Sequence, residues 1–119
     1  MGKRQIGNEY ERIVCDYLVQ NGMKIIDRNY TVKGGEIDIV AIDGEYICFV
    51  EVKFRTARAI DAYSSVGHAK QRRIIKSAKK YLYETGDKYQ PRFDVCFVFS
   101  DLGELSFEYI KNAYDASGF

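Results

Sequence analysis

Asp38, Glu51 and Lys53 stand in the stretch GGEIDIVAIDGEYICFVEVKFR, residues 34–55, among isoleucines, valines and phenylalanines. Ionised groups in apolar surroundings are costly unless they are paired, hydrogen-bonded or bound to a metal. Two carboxylates within reach of each other repel, and in a half-buried place one of them protonates unless a cation neutralises the pair. A hard divalent ion such as Mg²⁺ suits such a pair, because it binds through a few carboxylates, a carbonyl and waters. Lys53, two residues beyond Glu51, would then lie beside a bound water or a phosphate oxygen. There an ammonium orients a nucleophile or stabilises the charge that builds up in phosphodiester cleavage. The same residues also read as a mutual salt bridge among Glu51, Lys53 and Asp38 on a solvated strand edge, and spacing by itself leans towards that plainer reading.

Positioning these groups requires a hairpin. EIDIVAI and YICFVEVKF have the β-branched and aromatic content of strands, and Asp43-Gly44 between them favours a tight type I′ turn. With Asp43 and Gly44 as the turn residues, Asp38 falls opposite Phe49 and Glu36 opposite Glu51. Cross-strand partners share a face, as do residues two apart on one strand. Asp38, Glu51, Lys53 and Glu36 therefore project from one side, and Ile37, Ile39, Ala41, Cys48, Val50 and Val52 form an apolar surface on the other. A turn one residue longer would reverse this parity.

Around the hairpin, apolar residues recur at helical spacing from about Gln5 to Gln20 and stop at Asn21-Gly22. MKIIDRNYTV reads as a strand ended by the Gly34-Gly35 pair. TARAIDAYSSVGHA is polar and small, as a connection would be. From Lys70 to Glu84, Ile74, Ile75, Ala78, Tyr81 and Leu82 mark a second amphipathic helix. RFDVCFVFS reads as a strand covered on both faces, and ELSFEYI as a weaker strand or a turn of helix. The expected fold class is α/β, with helices covering a mixed central β-sheet in a single domain spanning residues 1–119.

Composition narrows the function. The formal charge of +1 conceals nine basic residues against one acid, Asp61, between Lys53 and Lys80; this segment carries +8 and the remainder −7. Such a concentration suits a localised polyanion contact, and it equally suits a solvated helix face. Cys15, Cys48 and Cys96 are widely spaced within apolar stretches and read as reduced core thiols, with no zinc motif. No run of apolar residues is long enough to span a membrane and MGKRQIGNEYER lacks a signal-peptide h-region, so a cytoplasmic protein is expected.

An acid followed by a hairpin to E-x-K, here Asp38 and then EVK at Glu51 to Lys53, resembles the core motif of the PD-(D/E)XK nuclease superfamily, which includes restriction endonucleases and archaeal Holliday junction resolvases. GNEYE, RNY, GEIDIVAIDG, FVEVKFR, KQRRI and RFDV fall in the order and spacing of the YraN-like bacterial family of that superfamily, over about Gly7 to Val98. The resemblance implies a restriction-endonuclease-like core, with Mg²⁺ or Mn²⁺ held by Asp38 and Glu51 and with Lys53 as the catalytic base partner. It also implies a supporting acid from the first helix, Glu11 or Glu9, with Glu11 the better match. Gln71 of KQRRI resembles a residue that related nucleases place near the site, although a surface glutamine fits as well. The superfamily's proline before the first acid is replaced by Ile37.

In that setting Arg55, Arg58, Lys70, Arg72, Arg73 and Lys76 are candidates for contacting phosphates, and Gln71 joins them as a candidate contact. No feature points to base-specific readout, so recognition of shape is expected. Asp94 reads first as a buried partner for a backbone amide or an arginine. His68, Ser64 and Ser65 receive no catalytic role, and most of the tyrosines read as core or rim. The expected activity is metal-dependent hydrolysis of DNA phosphodiester bonds, with branched or damaged structures as targets. The alternative is a non-catalytic nucleic-acid-binding or scaffold module that keeps the nuclease fold. The resemblance to resolvases adds a homodimer as a candidate assembly.

Overall fold

The computed structural model describes residues 3–56, 67–86 and 88–115, the side chains of residues 3–8 excepted. Helical periodicity produces α1 (Lys3–Gln20), which buries Val14, Cys15 and Leu18 along one stripe. It ends in a Schellman arrangement. Met23 N–H reaches the Leu18 carbonyl at 3.0 Å, Gly22 N–H reaches that of Val19 at 3.0 Å, and Gly22 holds the left-handed conformation (φ 88°) that closes it.

The chain then runs through β1 (Lys24–Val32), β2 (Gly35–Asp43) and β3 (Tyr46–Arg55) as an antiparallel meander. Helix α2 (His68–Thr85) carries the chain back across the sheet, so that β4 (Gln90–Asp101) pairs with β3 in parallel, and β5 (Glu104–Tyr114) returns antiparallel to β4. Spatial order equals chain order, β1-β2-β3-β4-β5. The single parallel pair sits where a helical crossover must lie.

The two helices cover opposite faces. Val14, Cys15 and Leu18 of α1 pack with Ile39, Ala41, Cys48, Val50, Cys96 and Val98, whereas Ile74, Ile75, Ala78 and Tyr81 of α2 pack with Val40, Ile47, Phe49, Val95, Phe97 and Phe99. This is a mixed α/β fold, a five-stranded mixed sheet with two helices, compatible with a restriction-endonuclease-like core. All three cysteines are free and buried, and burial pushes the Cys48 and Cys96 thiols up to about 12. Strand β4 is buried from Arg92 to Phe99, as its nearly continuous apolar run requires, and ELSFEYI proves to be strand, extended to Tyr114. No helix among the described residues is long and apolar enough to cross a membrane.

Three local expectations are corrected. The hairpin turn uses Gly44 and Glu45, because Asp43 pairs with Tyr46. Gly44, at φ 61°, takes the first central position, the place for glycine in a type II′ turn. The register therefore shifts by two residues, which preserves the parity of the faces. The break between β1 and β2 falls at Lys33-Gly34, and Gly35 is already in strand, paired with Val32. Finally, Ile37 does not share a face with Ile39 and Ala41; it joins the α2-side core with Val40. Alternation thus breaks at Asp38.

Candidate active site at the parting of two strands

The break has a visible cause. The β2–β3 ladder runs from Asp43↔Tyr46 to Ile39↔Val50, and the same register carried one step further sets Asp38 opposite Glu51. There the Val52 amide donates instead to Asp38 Oδ2, at 2.9 Å. A side-chain carboxylate has replaced a main-chain acceptor, and the two strands part around it. Asp38 is consequently held between the layers, where a group from α1 and a group from α2 can both approach.

Glu51 projects on the α2 side and is 7% exposed. It is hydrogen-bonded to Asp38 through their side chains, and burial followed by the Glu51 charge holds the Asp38 carboxyl far above the usual carboxylate range. An aspartate held this way favours its protonated form, and a cation would take that proton's place. From α2, Lys70 Nζ lies 2.5 Å from Glu51 Oε1. A cavity of about 130 Å³ opens beside the pair, lined by Gly35, Glu36, Asp38, Glu51, Lys70 and Arg73 together with Ile74.

Glu11 approaches from α1. Burial raises its carboxyl above the ordinary range, against the opposing effects of a hydrogen bond from the Asn29 side chain and of Arg28. Its Oε1 is buried without a hydrogen-bond partner. Asn29 itself adopts φ 54° within β1, a left-handed residue in a strand that faces the Asp38 region. Glu9, two residues earlier and on another face of α1, is exposed. Lys53, on the same face of β3 as Glu51, is half-buried; burial and then Arg55 lower its pKa, against the pull of Glu51.

The basic residues divide. Lys70 and Arg73 line the cavity; Arg55 is half-buried and donates Nη1 to the Phe54 carbonyl at 2.9 Å. Gln71 is half-buried, whereas Arg72 and Lys76 are exposed on α2. Arg58 lies outside the described residues, as do Asp61, Ser64 and Ser65. The first turn of α2 contains no acid although it carries His68 and Lys70, an arrangement opposed by the helix dipole. Glu51 offsets it by supplying the negative charge from another element.

Two contributors are not legible in the motif. Gly35 lets α2 approach: a Cβ there would fall 2.5 Å from Ser77 Oγ and 3.1 Å from the Arg73 carbonyl. Lys70 stands out in sequence only as one basic residue among several. Larger hollows of about 250 and 520 Å³ lie towards the hairpin-turn end of the sheet, bordered by Asp43 and Lys111 and by Arg92 and Asn112. That end is held by Asp94, which is fully buried and accepts from Arg92, from the Tyr109 hydroxyl at 2.6 Å and from the Asn112 amide at 2.9 Å. Its acceptors are satisfied by this network, in keeping with its reading as a structural partner.

A mixed sheet with a carboxylate pair at its parting strands defines the class of fold and site. Residues 10–98 match the model of the uncharacterised protein family UPF0102. The chain belongs to this family. It is 40% identical to a UPF0102 protein of Chromohalobacter salexigens over 95% of this chain and 93% of that one. It is 43% identical to one of Syntrophotalea carbinolica over 95% and 94%, and 38% identical to one of Marinobacter nauticus over 97% and 96%.

Proposed function

We propose that the protein is a metal-dependent nuclease that hydrolyses DNA phosphodiester bonds, with branched or damaged DNA as its target. The observation that carries this reading is the adjacent pair of half-buried Asp38 and buried Glu51, set where the strands part and open to a cavity rimmed by Lys70 and Arg73. The resemblance of Asp38, Glu51 and Lys53 to the PD-(D/E)XK motif supports it independently of the geometry.

The donor set suits a hard divalent ion. Among the described residues no group of three or more His, Cys, Asp or Glu side chains is placed to hold a metal, but Mg²⁺ characteristically uses one or two carboxylates and fills its shell with water. Asp38 and Glu51 would hold it, and the raised Asp38 pKa is the electrostatic tension that a cation relieves. Glu11 Oε1, buried and without a hydrogen-bond partner, lies on the α1 side and is not a third member of this pair's donor set. When bound, the ion supplies Lewis-acid charge to the phosphate and lowers the pKa of water.

The remaining work belongs to side chains. Lys53, half-buried on the face of Glu51, aligns the attacking water and neutralises charge developing on the phosphoryl oxygens. Glu11 is a supporting acid. Arg73 and the exposed Arg72 and Lys76 neutralise flanking phosphates, and Arg55 extends that contact along β3. Mg²⁺ or Mn²⁺ is the expected cofactor.

The test compares wild type with Glu51→Gln on linear, single-stranded and four-way-branched DNA in Mg²⁺, Mn²⁺ or EDTA. Cutting that requires metal and falls at least about 100-fold in the variant is expected for loss of a group at the reacting centre. Binding without cutting by either protein, unchanged by EDTA, would establish the non-catalytic module instead.

A further inference from the structure

We infer that Lys70 is an exchangeable counter-ion: it neutralises Glu51 while the metal site is empty and moves to the scissile phosphate when a divalent cation takes Glu51. The inference rests on the nuclease reading and assigns to that site a device beyond it.

The geometry is asymmetric. Glu51 is almost fully buried, whereas the Lys70 side chain is 48% exposed, and their charged atoms are 2.5 Å apart. A buried carboxylate must keep a partner. An ammonium on a flexible four-carbon stem, half in solvent, can leave and find another anion at small cost. Lys70 also sits in the first turn of α2, where the helix dipole disfavours a cation, so it has no intrinsic preference for that place apart from the anion opposite. Both elements face one cavity, with Arg73 beside them.

Charge balance then sets the direction. A divalent ion held by Asp38 and Glu51 cancels both carboxylates, leaving Lys53 and Lys70 as uncompensated ammonium groups on either side of Glu51. A phosphodiester supplies the anion they lack. Metal and DNA binding are therefore coupled through Lys70. Before the metal arrives, Lys70 competes for Glu51 and weakens metal affinity; afterwards it strengthens the grip on DNA.

Calorimetric titration of Mn²⁺ into metal-free wild type, Lys70→Met, Lys70→Arg, Arg73→Gln and Glu51→Gln tests this without requiring turnover. Binding of a four-way DNA junction with and without Ca²⁺ gives a second readout. Arg73→Gln removes a charge from the same cavity and serves as the electrostatic control. Lys70→Met should bind Mn²⁺ about tenfold more tightly, the loss of one charge-assisted competitor, while Lys70→Arg stays near wild type. The gain in DNA affinity on adding Ca²⁺ should shrink in Lys70→Met. Equal gains in Mn²⁺ affinity in Lys70→Met and Arg73→Gln, or no gain in either, would overturn the exchange and leave the nuclease reading standing, provided wild type binds Mn²⁺ and Glu51→Gln does not. Failure of every variant to bind Mn²⁺ would overturn both.

Discussion

Charged side chains in this protein meet two different fates. At the hairpin-turn end, Arg92 is shared between Asp94 and Asp43, at 2.8 Å to the latter, and Lys111 lies 3.4 Å from Asp43. The Arg92 hydrogen bond holds the Asp43 carboxyl below its usual range, with Lys111 adding to the effect. A depressed folded-state pKa contributes stability that is present above the unfolded value and is lost as pH falls through the folded one. Asp43→Asn should therefore lower thermal stability in the neutral region and converge on wild type as pH falls below about 4, which flattens the acid limb of the profile. At the other end, Asp38 and Glu51 stand side by side at the parting strands, and that close carboxylate pair is the basis of the proposed site. The type and spacing of Asp38, Glu51 and Lys53 are legible in the sequence. The Lys70–Glu51 pair is not, because it joins a helix to a strand across a crossover whose docking no local pattern reports.

Among the elements, the α2–β2 contact positions the site. Gly35 opens β2 to the helix, and Ser77 Oγ donates to the Arg73 carbonyl at 2.8 Å just where a Cβ at 35 would intrude. Gly35→Val should destabilise the fold by about 1–3 kcal/mol, as overpacking does, and lower activity beyond the stability loss by displacing Lys70 and Arg73; urea denaturation beside a cleavage assay separates the two effects. The meander and both helices were readable from periodicity, since each has one apolar face. Hairpin parity is legible too, although the Asp43-Gly44 signal sets the turn one residue early: Gly44-Glu45 and Asp43-Gly44 differ by two in register, and faces repeat every two residues. The face change of Ile37 was not readable, because alternation alone cannot show where a side chain replaces a main-chain acceptor.

For the whole molecule, the crossover that makes β4 parallel to β3 sets the basic helix α2 against the sheet face that carries Glu51. Helix α2 packs on the same face as Glu51, so Lys70 and Arg73 line the cavity while Arg72 and Lys76 are exposed elsewhere on the helix. If Arg55, Lys70, Arg72, Arg73 and Lys76 each meet a phosphate, DNA affinity should fall with salt at a log–log slope of about −4.5. A junction-binding titration across about 50–200 mM salt measures it. A slope of about −2 would confine the contact to Lys70 and Arg73 in the cavity.

The parting of β2 and β3 leaves one amide dependent on a side chain. Val52 N–H is held by Asp38 Oδ2, while its neighbours in the ladder are held by backbone. Asp38→Ala should accelerate solvent hydrogen exchange at Val52 while Val50 keeps the protection of the sheet, a contrast that two-dimensional NMR resolves residue by residue. That single backbone proton then reports on the occupancy of Asp38 in the resting protein, with no substrate required.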